Sequence, residues 1–139
     1  MAVAGCMSEP RNRNLGFKTL SIIPVDSGKF KLEGEVRSSS RNADENWATF
    51  HNVSVVGYQS SKSVVFRNYI GTVTPGYDGI RNISTVTETL PKFITLVADE
   101  TPCDDSTDIS ILTLNEGEKT YSEARHRKCK EPELPRIPE

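Results

Sequence analysis

The chain lacks both an excess of one charge and a long apolar run. Its 139 residues carry 17 Lys and Arg against 19 Asp and Glu, a formal net charge of -2. Without a basic field to attract phosphate backbones, nucleic-acid binding is not expected as the main activity. No run approaches the roughly 20 apolar residues that span a membrane as a helix. With three cysteines and 35% hydrophobic residues, the composition predicts one domain of ordinary size.

Motifs of the common catalytic and cofactor sites are also missing. The sequence has no glycine-rich phosphate loop, no paired-histidine helix and no dinucleotide fingerprint. His51 and His126 are the only histidines, and neither lies in a motif with a serine or cysteine nucleophile. We therefore expect no enzyme activity, no catalytic residue and no cofactor. A small hydrolase whose residues converge only in the fold is an alternative.

The apolar pattern has a period of two, and outside 123–128 no segment has the spacing of an amphipathic helix. Phe30 to Arg37 alternates apolar and charged residues, which predicts a half-buried strand. Thr19 to Val25 predicts a strand before it, and Asp26-Ser27-Gly28 has the composition of a hairpin turn. Thr49 to Tyr58 and Ser63 to Ile70 predict a second hairpin.

The second half of the chain adds further candidate strands after the turn cluster that begins at Pro75. They are Ile80 to Leu90, Lys92 to Ala98, Ile109 to Leu114 and Lys119 to Lys128, although the last part of the fourth is equally compatible with a helical turn. Seven to eight short strands separated by polar turns predict an all-β fold, an antiparallel immunoglobulin-like β-sandwich. A small closed barrel is the alternative.

The polar and apolar segments divide the chain into three parts. We expect a flexible N-terminal spacer at 1–16, the sandwich at 17–129 and a proline-rich, extended tail at 130–139. Ser38 to Asn46 has no large apolar residue and is expected to be a solvated loop. The expected core residues are Leu20, Ile22, Phe30, Leu32, Val36, Val53, Val55, Val65, Ile94, Leu96, Ile111 and Leu112.

The start of the chain resembles a processing signal. Val3-Ala4-Gly5-Cys6 is similar to a lipobox, the tetrapeptide that ends the signal peptide of prokaryotic lipoproteins, and Cys6 matches the cysteine that becomes lipidated. The basic and apolar regions that precede such a box are not present in Met1-Ala2. The alternatives are a fragment that begins near the box, a misassigned gene start, or a chance match on a terminus with a free thiol.

The other two cysteines suggest a disulfide in an exported protein. A bond between Cys103 and Cys129 would close a loop of about 26 residues and stabilise the fold by roughly 3–4 kcal/mol on the chain-entropy estimate. A metal site formed by these cysteines and His126 is an alternative, although it lacks a fourth ligand at a suitable spacing. A reduced pair in a cytosolic protein is the other alternative.

Two kinds of surface site are also indicated. Asn52-Val53-Ser54 and Asn82-Ile83-Ser84 match the acceptor pattern for N-glycosylation, so Asn52 and Asn82 are candidate acceptors, with ordinary strand asparagines as the alternative. The acidic loop from Asp99 to Asp108 offers carboxylates that suit Ca²⁺, and the candidate ligands are Asp104, Asp105 and Asp108. A solvated acidic loop without metal is the competing interpretation.

The segment from Phe30 to Val73 resembles a known family. Phe-x-Leu-x-Gly-x-Val at its start, a polar loop with Asn42, and Ala48 to Tyr58 followed by a valine strand that ends at Gly71 are similar to FxLyD-type immunoglobulin-like accessory domains. These domains occur in secreted bacterial and archaeal proteins, often lipoproteins, and resemble the water-stress type of late-embryogenesis-abundant protein. The family's aspartate-glycine turn is replaced here by Gln59-Ser60-Ser61-Lys62.

The resemblance covers about a third of the chain and implies a location more than an activity. It implies a non-catalytic, extracytoplasmic module, anchored by lipid at the cell surface, that acts in adhesion, scaffolding or ligand binding. Its partner would be a protein or a glycan, with no nucleic acid, and contact with the membrane would be through the lipid anchor only. A calcium- or glycan-binding domain that uses the loop from Asp99 to Asp108 is the alternative function.

Overall fold

The computed structural model describes residues 12–41, 49–60, 63–99 and 107–128, and these residues form an all-β fold. The expected all-β class with seven to eight strands is confirmed. None of the described residues belongs to a helix that is long and apolar enough to cross a membrane. The strands are β1 (Asn12–Val25), β2 (Lys29–Arg41), β3 (Phe50–Ser60), β4 (Ser63–Val73), β5 (Arg81–Thr87), β6 (Phe93–Asp99), β7 (Thr107–Asn115) and β8 (Thr120–Lys128).

The first hairpin forms where the sequence predicts it. β1 and β2 pair antiparallel around the turn Asp26–Gly28, where Ser27 and Gly28 both have positive φ, at 74° and 72°. Two positive φ values in succession match the right-handed twist of the strands that the turn connects. Pro24 lies near the end of β1, where that strand pairs with β2 alone among the described strands. Its missing N–H is therefore tolerated at an edge.

The strands form one mixed sheet that nearly closes into a barrel. The order is β4-β3-β6-β7-β1-β2-β5, and β8 pairs with β7. β8 runs along β7 from Asp108 to Asn115, so β1 and β6 must share the other edge of β7. Side chains of β4 and β5, the two ends of the order, approach each other through Asn68 and Thr85. This arrangement is closer to the small-barrel alternative than to two separate layers.

One strand pair contradicts the expected antiparallel arrangement. Residues Arg13, Asn14 and Leu15 of β1 pair parallel with Thr107, Asp108 and Ile109 of β7. A parallel pair joins strands that are far apart in sequence, since it cannot be made by a short hairpin. Local alternation of apolar residues therefore contains no signal for it.

The main core lies on the inner face of the sheet. Eight of the twelve expected core residues are buried, namely Leu32, Val36, Val53, Val55, Ile94, Leu96, Ile111 and Leu112. Leu20 and Ile22 pack against this core while partly exposed, and Phe30 and Val65 are also partly exposed. A second cluster of Val56, Tyr58 and Val97 with Phe93 lies on the opposite face of β3, so β3 is buried on both faces.

Three segments differ from the expectation because pairing between strands outweighs local composition. Ser38 to Arg41 belongs to β2, where Ser38 pairs with Leu15 and is buried, although a loop was expected from Ser38. β1 begins at Asn12, inside the expected spacer 1–16. The ambiguous end of the chain from Glu123 to Lys128 is a strand, because β8 pairs with β7 along its length.

Tyr121 fastens β8 to the connection between β5 and β6. Its hydroxyl donates a hydrogen bond to the carbonyl oxygen of Pro91 at 2.6 Å, and burial raises the pKa of Tyr121 well above its usual value. We expect Tyr121→Phe to lower the free energy of unfolding by about 1 kcal/mol, because the Pro91 carbonyl loses its donor. Urea denaturation of this variant and of Tyr77→Phe, a control whose side chain is 90% exposed, measures the effect. Equal urea midpoints for the two variants would contradict the expected loss of stability.

Candidate functional site

Most of the sequence-predicted site residues fall outside the described part of the chain. These are Cys6, Cys103, Cys129, Asp104 and Asp105. Lipidation at Cys6, the disulfide between Cys103 and Cys129, and two of the three candidate calcium ligands therefore stay predictions.

The third calcium candidate, Asp108, is described and half-buried in β7. Its backbone lies between Asn14 of β1 and Lys128 of β8. Within residues 12–41, 49–60, 63–99 and 107–128, no three His, Cys, Asp or Glu side chains come together as metal ligands.

The two candidate glycosylation sites differ in their surroundings. Asn82 and Ser84 are both exposed on β5, and Ile83 between them is buried. Asn52 is exposed, but its Oδ1 accepts a hydrogen bond from the hydroxyl of Tyr69 at 3.0 Å, and Ser54 is buried. The geometry therefore favours Asn82 over Asn52 as an acceptor.

The first candidate binding site is the seam, which we define as the gap between β4 and β5. Among the described strands, β4 pairs only with β3 and β5 pairs only with β2, so each presents an edge to the other. A side-chain hydrogen bond from Asn68 Nδ2 to Thr85 Oγ1 joins the two strands, whose backbones are close together around this point. Beyond that point the seam opens into a groove of about 460 Å³, lined by Lys29, Val65, Phe66, Val86, Thr87, Glu88 and Thr89.

The strands beside the seam carry an unusual share of exposed apolar surface. Of the five large hydrophobic side chains exposed in the described residues, three are on β4 and β5: Val64 (54%), Tyr69 (64%) and Val86 (55%). β5 has no charged residue between Asn82 and Thr87, no proline and no break in its register with β2. Edge strands of monomeric proteins usually carry charge, proline or bulges that prevent pairing with other chains, and β5 has none of them over this stretch.

The second candidate site is the tyrosine groove, a cavity of about 250 Å³ beside the turn Tyr77–Gly79. It is lined by Lys18, Arg37, Ser38, Ser39, Gly76, Tyr77 and Ile80. Tyr77 is 90% exposed, the most exposed of the large hydrophobic side chains in the described residues.

The turn that carries Tyr77 is fixed by its backbone. Gly76 has φ 98°, and a Cβ on Gly79 would lie 1.9 Å from the carbonyl oxygen of Thr74, so both positions require glycine. The N–H of Gly79 donates to the carbonyl of Gly76 at 3.1 Å, and Pro75 forms a bridge with Ser38. An exposed aromatic ring is therefore held on a turn with a defined shape.

Two basic side chains, Lys18 and Arg37, line this groove together with Tyr77. Arg37 is exposed, and among the described residues its guanidinium has no ion-pair or hydrogen-bond partner. The Nζ of Lys18 is 3.8 Å from Oε1 of Glu35, a partly exposed and loose pair. Asp78 follows Tyr77 in the turn, and its carbonyl accepts a hydrogen bond from Arg81.

No protein-family model, curated protein or solved structure matches this chain.

Neither groove was identified from the sequence. Tyr77 lies inside the turn cluster Pro75-Gly76-Tyr77-Asp78-Gly79, and an aromatic residue in so tight a turn has few neighbours to bury it. The position of Tyr77 in this turn could therefore have indicated an exposed aromatic side chain. The seam had no comparable signal, because which strands end a sheet depends on pairing between distant segments.

Proposed function

We propose that the chain is a non-catalytic, extracytoplasmic binding module that takes up an extended segment of a partner protein at the seam. One observation carries this proposal: the uncharged edge of β5 faces a groove whose walls include Val65, Phe66 and Val86. An unpaired strand edge offers a row of backbone donors and acceptors to an incoming strand. Addition of a strand to such an edge is a common mode of peptide recognition.

The groove also defines the chemistry of the partner segment. Lys29 lies at the groove together with Glu88, so the opposite charges favour a partner of low net charge. Along β5 the side chains of Asn82, Ser84 and Val86 are exposed in alternation with buried Ile83 and Thr87. An added strand therefore pairs best when it presents β-branched or aromatic residues at every second position.

The location is the part of the proposal that rests on sequence alone. The lipobox-like segment that ends at Cys6 supports an anchor at the cell surface. An immunoglobulin-like classification is also part of the proposal, and its support is the resemblance of the segment from Phe30 to Val73 to such domains. In this proposal the module acts in adhesion or scaffolding outside the cytoplasmic membrane.

The proposal predicts that a charge on the β5 edge blocks binding. Peptides selected from a displayed random library on the folded chain should show alternating β-branched or aromatic residues, and their affinity should fall at least about tenfold for Val86→Lys. Tyr77→Lys, at an exposed position on the turn Tyr77–Gly79 that does not line this groove, is the matched control and should bind as the unaltered chain does. Val86 is opposite Lys31 of β2, so Val86→Lys should lower the melting temperature by a few degrees at most, and melting curves verify that both variants are folded at the temperature of the assay.

Three results would overturn this function. Selected peptides that bind Val86→Lys as tightly as the unaltered chain would place recognition elsewhere. Recognition would also lie elsewhere if an NMR titration with these peptides shifted amides outside β4 and β5 only. A concentration-dependent dimer that Val86→Lys abolishes would show that a second copy occupies the seam instead of a partner protein.

A further inference from the structure

The tyrosine groove lies apart from the seam and has a different chemistry. Its lining includes an exposed aromatic ring at Tyr77, the exposed residue Ser39, and Arg37, whose guanidinium has no partner among the described residues, whereas the seam is lined mainly by valine, phenylalanine and threonine. The two grooves have no lining residue in common. We propose that the tyrosine groove binds a carboxylate-bearing sugar residue.

The ring of Tyr77 supplies the first part of this recognition. A tyrosine side chain combines an apolar face with a polar hydroxyl, and it loses little conformational freedom when it makes a contact. The turn fixes the backbone of Tyr77 before any ligand arrives, because Gly76 and Gly79 define its conformation and the Ile80 N–H donates to the Tyr77 carbonyl at 3.3 Å. The exposed apolar face of this ring suits the C–H face of a sugar ring.

Arg37 supplies the second part. A guanidinium presents parallel donors that match a carboxylate in a bidentate pair. Arg37 is the cation at this groove without an ion-pair partner among the described residues, whereas Lys18 is already next to Glu35. A carboxylate beside Arg37 therefore gains a hydrogen-bonded counter-charge without displacing an existing ion pair.

The size of the groove and a hydroxyl group in its lining also suit a sugar residue. Its volume of about 250 Å³ is below the roughly 300–1,000 Å³ of sites for drug-sized ligands, so it suits a single sugar ring of a longer chain. Ser39 also lines the groove and is exposed, so its hydroxyl is accessible to the hydroxyl groups of a ligand.

The test is an NMR titration of the full chain with trigalacturonate. We expect saturable shifts of the amides of Arg37, Ser39 and Tyr77, and an affinity at least about tenfold lower for Tyr77→Ala and for Arg37→Gln. Tyr69→Ala and Arg67→Gln are matched controls, because they remove an exposed tyrosine and an exposed arginine of β4 that do not line this groove. The fully methyl-esterified trigalacturonate tests the need for the carboxylate and should bind weakly.

Each arm of the experiment decides the proposal. Loss of binding in Tyr77→Ala and Arg37→Gln, with retention in both controls, supports it. The proposal is overturned if the methyl ester binds with equal affinity, or if all variants bind with equal affinity. It is also overturned if a high concentration of trigalacturonate causes no amide shifts. Inorganic phosphate that shifts the same amides as strongly would show a general anion site and also overturn it. Val86→Lys should bind trigalacturonate normally, so failure at the seam and failure at this groove remain distinguishable.

Discussion

Replacement of Gly34 by alanine should lower the free energy of unfolding by about 3 kcal/mol and the melting temperature by roughly 10 °C. A Cβ at this position would lie 2.1 Å from the carbonyl oxygen of Thr19 and 3.0 Å from the Cα of Leu20. Both contacts are with backbone atoms, so no side-chain rotation can relieve them. Accommodating one methyl group requires β1 to move away from β2.

A bulge in β1 lies next to this contact, just before the pair of Leu20 with Gly34. Phe17 pairs with Val36 and Thr19 pairs with Glu35, which leaves Lys18 as an extra residue on β1. A bulge increases the local twist and shifts the following backbone relative to its partner strand. Here the shift directs the Thr19 carbonyl at Gly34, and only a residue without a side chain fits.

The matched control for this substitution is Gly117→Ala. Gly117 has open space around the position of its Cβ and does not have a positive φ, so alanine should be tolerated. Thermal and urea unfolding of both variants measure the difference. If Gly34→Ala unfolds within about 1 kcal/mol of the control, β1 is free to move and the close approach is not an essential feature of this fold.

Elements that depend on neighbouring residues were predictable from the sequence. Alternation and turn composition located the hairpin around Asp26–Gly28 and the hairpin of β3 and β4, because in both the two strands are joined by a few residues. The same alternation identified Leu32, Val36, Val53 and Val55 as core. These features require only the period of a strand and the chemistry of a turn.

Features that depend on distant pairing were not predictable in this way. The parallel pair of β1 with β7, which begins at Arg13, joins segments separated by most of the domain. The extension of β2 from Ser38 to Arg41 is stabilised by that same end of β1, although its composition is typical of a loop. The edges at the seam follow from these pairings, and so the candidate site there was missed.

The tyrosine groove was missed for another reason. Its lining residues come from β1, from β2 and from the turn after β4, and they meet because Pro75 bridges to Ser38. Lys18 and Arg37 look like ordinary exposed charges of alternating strands when each is considered alone. Only the approach of the turn to the β1–β2 hairpin makes them neighbours of Tyr77.

Arg13→Met should also lower the free energy of unfolding, by about 2 kcal/mol. Arg13 is only 1% exposed, and its Cζ lies 5.0 Å from the centroid of the Phe50 ring, itself fully buried. A buried guanidinium over an aromatic face gains more than an exposed one, because it is shielded from water. Methionine keeps much of the apolar volume, so the loss measured is chiefly that of the cation over the ring.

A double-mutant cycle with Phe50→Leu separates the contribution of the ring from the rest. Phe50→Leu retains an apolar side chain but removes the aromatic face, so the two substitutions together should destabilise the fold by about 1 kcal/mol less than the sum of their separate effects. The free energy of unfolding of Arg13→Lys should lie between that of the unaltered chain and that of Arg13→Met, since an ammonium keeps the charge without the planar group. Chemical denaturation at fixed pH measures all four variants.

An additive cycle would show that Arg13 and Phe50 are only neighbours. An Arg13→Met variant as stable as the unaltered chain would show that the buried cation has no net stabilising effect at the junction of β1 and β7.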